Sequence, residues 1–245
     1  MSRQDDFFIG WSADTPRRDR RFMLGAGLAL IPGAGALAAV LAPDPTPLGE
    51  GFWDQGEVRT LRGWLDAEPY PALRTLDLDG EARTVFLATS GKSVPSLEPS
   101  LVGRAVSVIG TLIVRGRNAM MALASMEPAT QEHGGERSVI DHGPAMLVGE
   151  ILDAKCWFGA MRPGSGPTHK ACAALCARGG LPLAFCQIGL CGDDGVAPLL
   201  LDDTGRAFGR EILPYLADPV ALIGRMIEVD AVMQIRAPLD RIRRL

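Results

Sequence analysis

Between residues 57 and 126, apolar residues come in short runs separated by turn-forming residues. Glu57–Leu65, Leu73–Leu78, Ala82–Ala88, Arg104–Val114 and Asn118–Ser125 read as strands, and a Gly-Arg-Asn turn joins the last two. Ser93–Leu101 reads as a short helix or turn before the fourth strand. Five short strands with such an element between the third and fourth predict a small Greek-key barrel of the OB type. Gly63, Gly103 and Gly110 fall where such a barrel must bend sharply. A second set follows: a strand over Ala145–Leu152, a strand over Pro198–Asp202, a helix near Arg210–Leu216 and a strand pair through Met226–Arg236.

The two sets are copies. Leu61-Arg62-Gly63-Trp64-Leu65-Asp66-Ala67 matches Leu147-Val148-Gly149-Glu150-Ile151-Leu152-Asp153-Ala154, and Leu101-Val102-Gly103-Arg104-Ala105-Val106 matches Leu222-Ile223-Gly224-Arg225-Met226-Ile227. The front halves are offset by 149 − 63 = 86 residues and the back halves by 224 − 103 = 121, an excess of 35 in the second copy. All five cysteines lie in that excess.

Ahead of the barrels, Phe22–Pro43 carries no charge. Its length matches the roughly 20 residues of a membrane-crossing helix, and Arg17, Arg18, Arg20 and Arg21 precede it. The expected fold is therefore mainly β: an N-terminal transmembrane helix, then two tandem OB-like small barrels, the second with a Cys-rich helical insert. The expected organisation is a cytoplasmic tail (1–21), a transmembrane anchor (22–42), barrel one (52–126), a polar linker (127–144) and barrel two (145–245), with the insert at 155–194. A cleaved export signal is the rival reading of the apolar stretch. Arg20-Arg21-Phe22 loosely matches a twin-arginine pattern, but Pro43 follows the small residues Ala39 and Ala42 and would disfavour cleavage. The arginine bias places the barrels in the periplasm, tethered to the bacterial inner membrane by a single pass.

The insert carries the candidate chemistry. Cys156, His169, Cys172 and Cys176 follow the pattern Cys-x12-His-x2-Cys-x3-Cys. Spacings of three and four put His169, Cys172 and Cys176 on one face of a helix, with Thr168 as its N-cap and Gly179-Gly180 closing it. Three thiolates and an imidazole suit a tetrahedral metal site, zinc first, with an iron–sulfur cluster or copper as alternatives. Arg162 and Lys170 are the cations expected to hold the thiolates ionised. Structural disulfides compete with this reading, because periplasmic proteins are oxidised. Cys186 and Cys191 read as a disulfide-closed turn. For the other three, one disulfide plus a free thiol, or redox chemistry at Cys172 and Cys176, remain alternatives. Met161 reads as packing, and His133 and His142 as loop residues. Trp53, Trp64 and Tyr70 read as a core cluster. The formal net charge of −4 argues against nucleic acid as a partner.

Gly149-Glu150-Ile151-Leu152-Asp153-Ala154-Lys155-Cys156 and His169-Lys170-Ala171-Cys172-Ala173-Ala174-Leu175-Cys176-Ala177-Arg178-Gly179-Gly180-Leu181-Pro182 resemble a poorly characterised bacterial family of membrane-anchored periplasmic proteins. The stretch Phe7-Phe8-Ile9-Gly10-Trp11 with Asp19-Arg20-Arg21-Phe22 is similar to anchored subunits of respiratory oxidoreductases, Rieske-type proteins included. The paired Cys-x-His and Cys-x2-His motifs of a Rieske centre are missing, so that cofactor is not implied. The resemblance supports Cys156, His169, Cys172 and Cys176 as a unit. It assigns no reaction. The anchor, the lack of any histidine or cysteine in barrel one and the single soft-metal site lead instead to the expectation of a non-catalytic accessory subunit that holds a metal and docks on or assembles with a membrane electron-transfer complex. A thiol–disulfide or metal-dependent redox enzyme and a metal-delivery factor are the other expectations.

Overall fold

The computed structural model describes residues 17–41, 51–76, 78, 80, 82–130, 137–188 and 197–245. The chain divides into two compact units, Met1–Pro47 and Leu48–Leu245. The described part of the first is one helix, α1 (Arg17–Leu41). The expectation of a transmembrane helix over 22–42 is corrected here. Among the described residues no helix is long and apolar enough to cross a membrane. α1 opens on Arg17, Arg18, Asp19, Arg20 and Arg21. Five of the first residues of α1 are thus charged and cannot lie in a hydrocarbon core.

The second unit is mainly β, in two sheets. Strands β1 (Phe52–Asp66), β2 (Ala72–Thr75), β3 (Arg83–Ala88), β4 (Ala105–Arg115) and β5 (Asn118–Pro128) close a five-stranded barrel in the order β1-β2-β3-β5-β4. Strands β6 (Val139–Asp153), β7 (Leu183–Gln187), β8 (Leu199–Leu201), β9 (Pro219–Val229), β10 (Val232–Arg236) and β11 (Ile242–Arg244) form the second sheet. Its first five strands repeat every pairing of the barrel. β6 pairs antiparallel with β7 and β9, β7 with β8, and β9 with β10, while β8 runs parallel to β10 as β3 does to β5.

The registers fix how the copies align. Gly63 faces Val106 and Gly149 faces Val220, so β4 maps onto β9 with an offset of 220 − 106 = 114. Gly224 therefore matches Gly110, not Gly103. A Cβ on Gly110 would lie 2.3 Å from the Ala122 carbonyl oxygen, and one on Gly224 would lie 2.4 Å from that of Arg236, the residue 114 further on. Gly103 matches Ala217 instead. Both have positive φ, +72° and +55°, and both donate N–H to the last turn of the first strand, to the Leu65 and Ile151 oxygens, each at 2.9 Å. The sequence match had slipped by seven residues, because Leu101-Val102-Gly103-Arg104, just before β4, is more similar to Leu222-Ile223-Gly224-Arg225 than the true counterpart, Val108-Ile109-Gly110-Thr111, is. The excess is thus 114 − 86 = 28 residues. β2 maps onto β7 at an offset of 184 − 72 = 112, so 26 of them sit between β6 and β7.

Alternation along the strands sends one face into each barrel. Leu61, Leu65, Leu73, Val85, Leu87, Val106, Val108 and Met121 fill the first, and Ile151, Leu183, Phe185, Leu200, Val220, Leu222 and Ile235 the second. The opposite faces of β2 and β3 are also buried, against their counterparts. Ala72, Phe86 and Ala88 join Ala184, Leu199 and Leu201, their equivalents in the second copy, in a third core between the barrels. Strands buried on both faces read as continuous apolar runs, as in Thr84-Val85-Phe86-Leu87-Ala88.

Tyr70 lies in that third core, where its hydroxyl accepts the Leu183 N–H at 3.4 Å. Burial pushes its pKa up to about 12. Such a group supports the fold fully below its unfolded value of about 10 and loses that support as pH rises through 12. Alkaline titration will show one late tyrosinate absorbance step together with a stability loss of about 3 kcal/mol between pH 10 and 12, and Tyr70→Phe will remove both. Gly149→Ala places a Cβ 2.0 Å from the Cys186 carbonyl oxygen. The urea midpoint of that variant will fall by the equivalent of about 1–3 kcal/mol.

Candidate metal centre

The 154–182 connection replaces the five residues, 67–71, that join β1 to β2. It begins as a π-helical turn (Cys156–Ala160), loops through Pro163, makes a 3-10 turn (Pro167–His169) and enters α2 (Lys170–Arg178). The helix caps differ from expectation. Thr168 sits inside the 3-10 turn, and His169 takes the N-cap position without a side-chain cap bond. Gly179 ends the helix as predicted, and for a packing reason too: a Cβ there would lie 1.8 Å from the Lys92 carbonyl oxygen. The π turn drives Trp157 and Phe158 into the core between the barrels, where the Arg115 guanidinium stacks 4.7 Å from the Trp157 ring.

Cys156, Cys172 and Cys176 are free and buried, and their sulfurs lie within 4.8 Å of one another. Cys156 Sγ and Cys172 Sγ are 3.5 Å apart. Two thiolates on one tetrahedral zinc, at Zn–S of about 2.3 Å, are separated by roughly 3.8 Å. The neighbouring Cys176 thiol, and burial after it, push the Cys156 thiol far above its ordinary value.

His169 belongs to an adjoining group, Asp153–Cys156–His169, whose ligand atoms also lie within 4.8 Å of one another. Both His169 and Asp153 are fully buried. Burial alone raises the Asp153 pKa, but hydrogen bonds from His169 and the Cys156 N–H outweigh it and hold the carboxylate below its usual range. An ionised carboxylate only accepts. His169 Nε2 must therefore donate to Asp153 Oδ2, at 2.7 Å, while the Cys156 N–H donates to Oδ1 at 2.9 Å. In a neutral imidazole that arrangement leaves the lone pair on His169 Nδ1, which is buried and has no hydrogen-bond partner. A carboxylate–histidine pair with the far nitrogen unmet is the arrangement that orients metal-binding imidazoles. Cys156 joins the two groups. The cluster of Cys156, Cys172 and Cys176, with Asp153 and His169, can hold a metal ion.

The cations that face the thiols were not the expected ones. Arg162 donates to the Gly51 carbonyl oxygen and Lys170 to Asp218. Lys92, from the first barrel, reaches across instead, with Nζ 2.6 Å from Cys172 Sγ and 4.0 Å from Cys176 Sγ. This contact, and the charge of the thiolates, raise its pKa. Lys155 is buried and donates to the carbonyl oxygens of Thr89, Ser90 and Gly91 at 2.7, 3.2 and 2.6 Å, with its ammonium 5.0 Å from the Trp53 ring. It pins the loop that carries Lys92. The Val94 N–H donates to the Gly179 oxygen and docks the same loop on the end of α2.

Sequence reasoning missed Lys92, Lys155 and Asp153 as members of the site. Asp153 had a signal: an acid three residues before the first helical N–H is a capping pattern. Lys92 had none, being 80 residues from its sulfur partner. Cys186 is disulfide-bonded, and Cys191 lies outside the described residues. His133 also lies outside them. His142 is exposed and 3.0 Å from Glu228, and Met161 is exposed.

No protein-family model, curated protein or solved structure matches the chain. These comparisons lend no support to the expected membrane or electron-transfer role.

Lys155→Met will leave three carbonyls of the 89–91 turn without their donor. The expected cost is about 2–4 kcal/mol. Amide exchange will rise in residues 89–94 first, ahead of either barrel.

Proposed function

We propose that the chain is a non-catalytic scaffold protein that holds one divalent ion, zinc by preference, at the junction of its two barrels. Cys156, Cys172, Cys176 and His169 Nδ1 are the ligands, and Asp153 orients His169. The observation that carries this reading is the fully buried His169, whose Nε2 is committed to Asp153 while Nδ1 has no hydrogen-bond partner, in a group that shares Cys156 with the cluster of three thiols.

Charge supports a divalent ion. Three thiolates and Asp153 carry −4, and Lys92 and Lys155, which both feel the thiolates, carry +2. An ion of charge +2 makes the assembly neutral, which a largely buried site requires. Spacing supports a single ion. The thiolates of an iron–sulfur cluster are spread over several irons, whereas these three sulfurs lie within 4.8 Å of one another. When bound, zinc would supply a closed structural cross-link without redox chemistry. Lys92 would give a charge-assisted hydrogen bond to Cys172, and Asp153 would fix the imidazole ring.

The Lys92–Cys172 contact favours a second reading. An ammonium beside a sulfur favours the thiolate, the attacking form in thiol–disulfide exchange. Cys172 would attack an external disulfide and Cys156 would resolve the mixed disulfide. Two protons and two electrons would leave the pair, and the external disulfide would depart as a dithiol.

Elemental analysis of the full chain, with thiol titration, separates the two. The scaffold reading expects one zinc per chain, three thiols that react only after chelation, and loss of the ion in Cys156→Ala and His169→Ala. Asp153→Asn will bind zinc about 10–100-fold more weakly. A metal-free chain whose Cys156–Cys172 disulfide cycles with a dithiol would overturn it.

A further inference from the structure

Lys92 Nζ stands 2.6 Å from Cys172 Sγ, a residue 80 positions away in the chain. An N–H···O hydrogen bond spans about 2.7–3.2 Å, and sulfur is a larger acceptor than oxygen. The two atoms are therefore closer than a hydrogen bond to sulfur holds them. They stand at the separation of atoms that share one bonded neighbour. Two single bonds meeting at about 111° set their ends about 2.5 Å apart, and slightly more where one end is sulfur. Three anchors fix this approach. Lys155 donates to the carbonyl oxygens of Thr89, Ser90 and Gly91, and the Val94 N–H donates to the Gly179 oxygen at 2.9 Å. The Lys92 carbonyl packs onto Gly179 so closely that a Cβ there would lie 1.8 Å from its oxygen. Lys92 is exposed, and Cys172 is the most accessible of the three thiols, at 9% against 4% for Cys156 and 1% for Cys176. An oxidant arriving from solvent thus meets Cys172 first, beside the amine.

We infer that hydrogen peroxide converts this pair into an oxygen-bridged cross-link, Lys92 Nζ–O–Sγ Cys172. It clamps the 89–94 loop of the first barrel to the helix of the added segment. Two equivalents of peroxide balance the reaction. The first oxidises the Cys172 thiol to a sulfenic acid and leaves as water. The second places its oxygen on the Lys92 amine, giving a hydroxylamine, and also leaves as water. The hydroxylamine oxygen then attacks the sulfenic sulfur. An O–S bond forms, the S–OH bond breaks, and a third water departs. Nitrogen and sulfur together lose four electrons, which the two peroxides take up. A disulfide is the competing product, but Cys156 Sγ must close from 3.5 Å by about 1.5 Å to make it. The oxygen bridge needs almost no movement. It goes beyond the metal reading and does not rest on it. Bound zinc would occupy the Cys172 sulfur and shield it, so the bridge belongs to the metal-free chain.

Peroxide treatment of the chelator-treated full chain, followed by tryptic peptide mapping, tests it. The expected product joins residues 84–104, uncut after Lys92, to residues 171–178. Its mass will lie about 14 Da above the sum of the two peptides, one oxygen gained and two hydrogens lost. Lys92→Arg and Cys172→Ser will lose it. Cys156→Ser, which removes the disulfide partner, will keep it; if that variant does not fold, the map of the parent chain decides alone. The bridge is refuted if no such product forms or if a Cys156–Cys172 disulfide forms in its place. It is equally refuted if the two peptides are joined about 2 Da below their sum, the mass of a direct N–S bond, or if folded Cys156→Ser loses the product. A chain that holds zinc yet gives no cross-link once chelated fails here alone. A metal-free chain that cross-links fails the zinc reading alone.

Discussion

The burial of like faces against each other carries the rest of this structure. Each barrel has one apolar face too many. β2 and β3 are hydrophobic inward, as any barrel strand must be, and hydrophobic outward as well. The outward side chains of the first copy find the same positions of the second. In OB-type barrels this is the side that commonly takes ligands. Here it is occupied by the sister barrel.

The added segment uses that junction. Cys156 begins the turn that sends Trp157 and Phe158 between the barrels, so the thiol cluster and the core form together. A single buried carboxylate organises the polar side. Asp153 caps the turn at Cys156 with one oxygen and aligns His169 with the other. Its own charge is tolerable only because both bonds are made. The first barrel then closes the cluster from above. The loop that brings Lys92 is held by Lys155, a residue of the second copy. Ligand geometry, loop geometry and barrel packing are consequently one problem with one solution.

Much of this was legible in the chain. Strand runs, the duplication and the extra segment followed from apolar periodicity and repeated Leu-x-Gly patterns, because both are local. The cysteine spacing correctly brought Cys172 and Cys176 to one helix face. What failed depended on distance or on register. The repeat slipped by seven residues because the residues around Gly103 match those around Gly224 better than those around Gly110 do, and only strand pairing identifies Gly110 as the counterpart. Lys92 was invisible because its meeting with Cys172 is made by the fold. Arg162 and Lys170 were attractive because they are near in sequence, yet each finds a closer acceptor.

Two barrels held face to face by equivalent residues have the symmetry of a dimer written into one polypeptide. Covalent fusion frees such a pair from having to stay alike. In a pair of separate identical subunits, the 154–182 excursion would appear twice and press two copies of Trp157 and Phe158 into a single seam. Tandem linkage let one half acquire that excursion while the other kept its five-residue turn, so the asymmetry needed for a one-ion centre became compatible with a shared hydrophobic face.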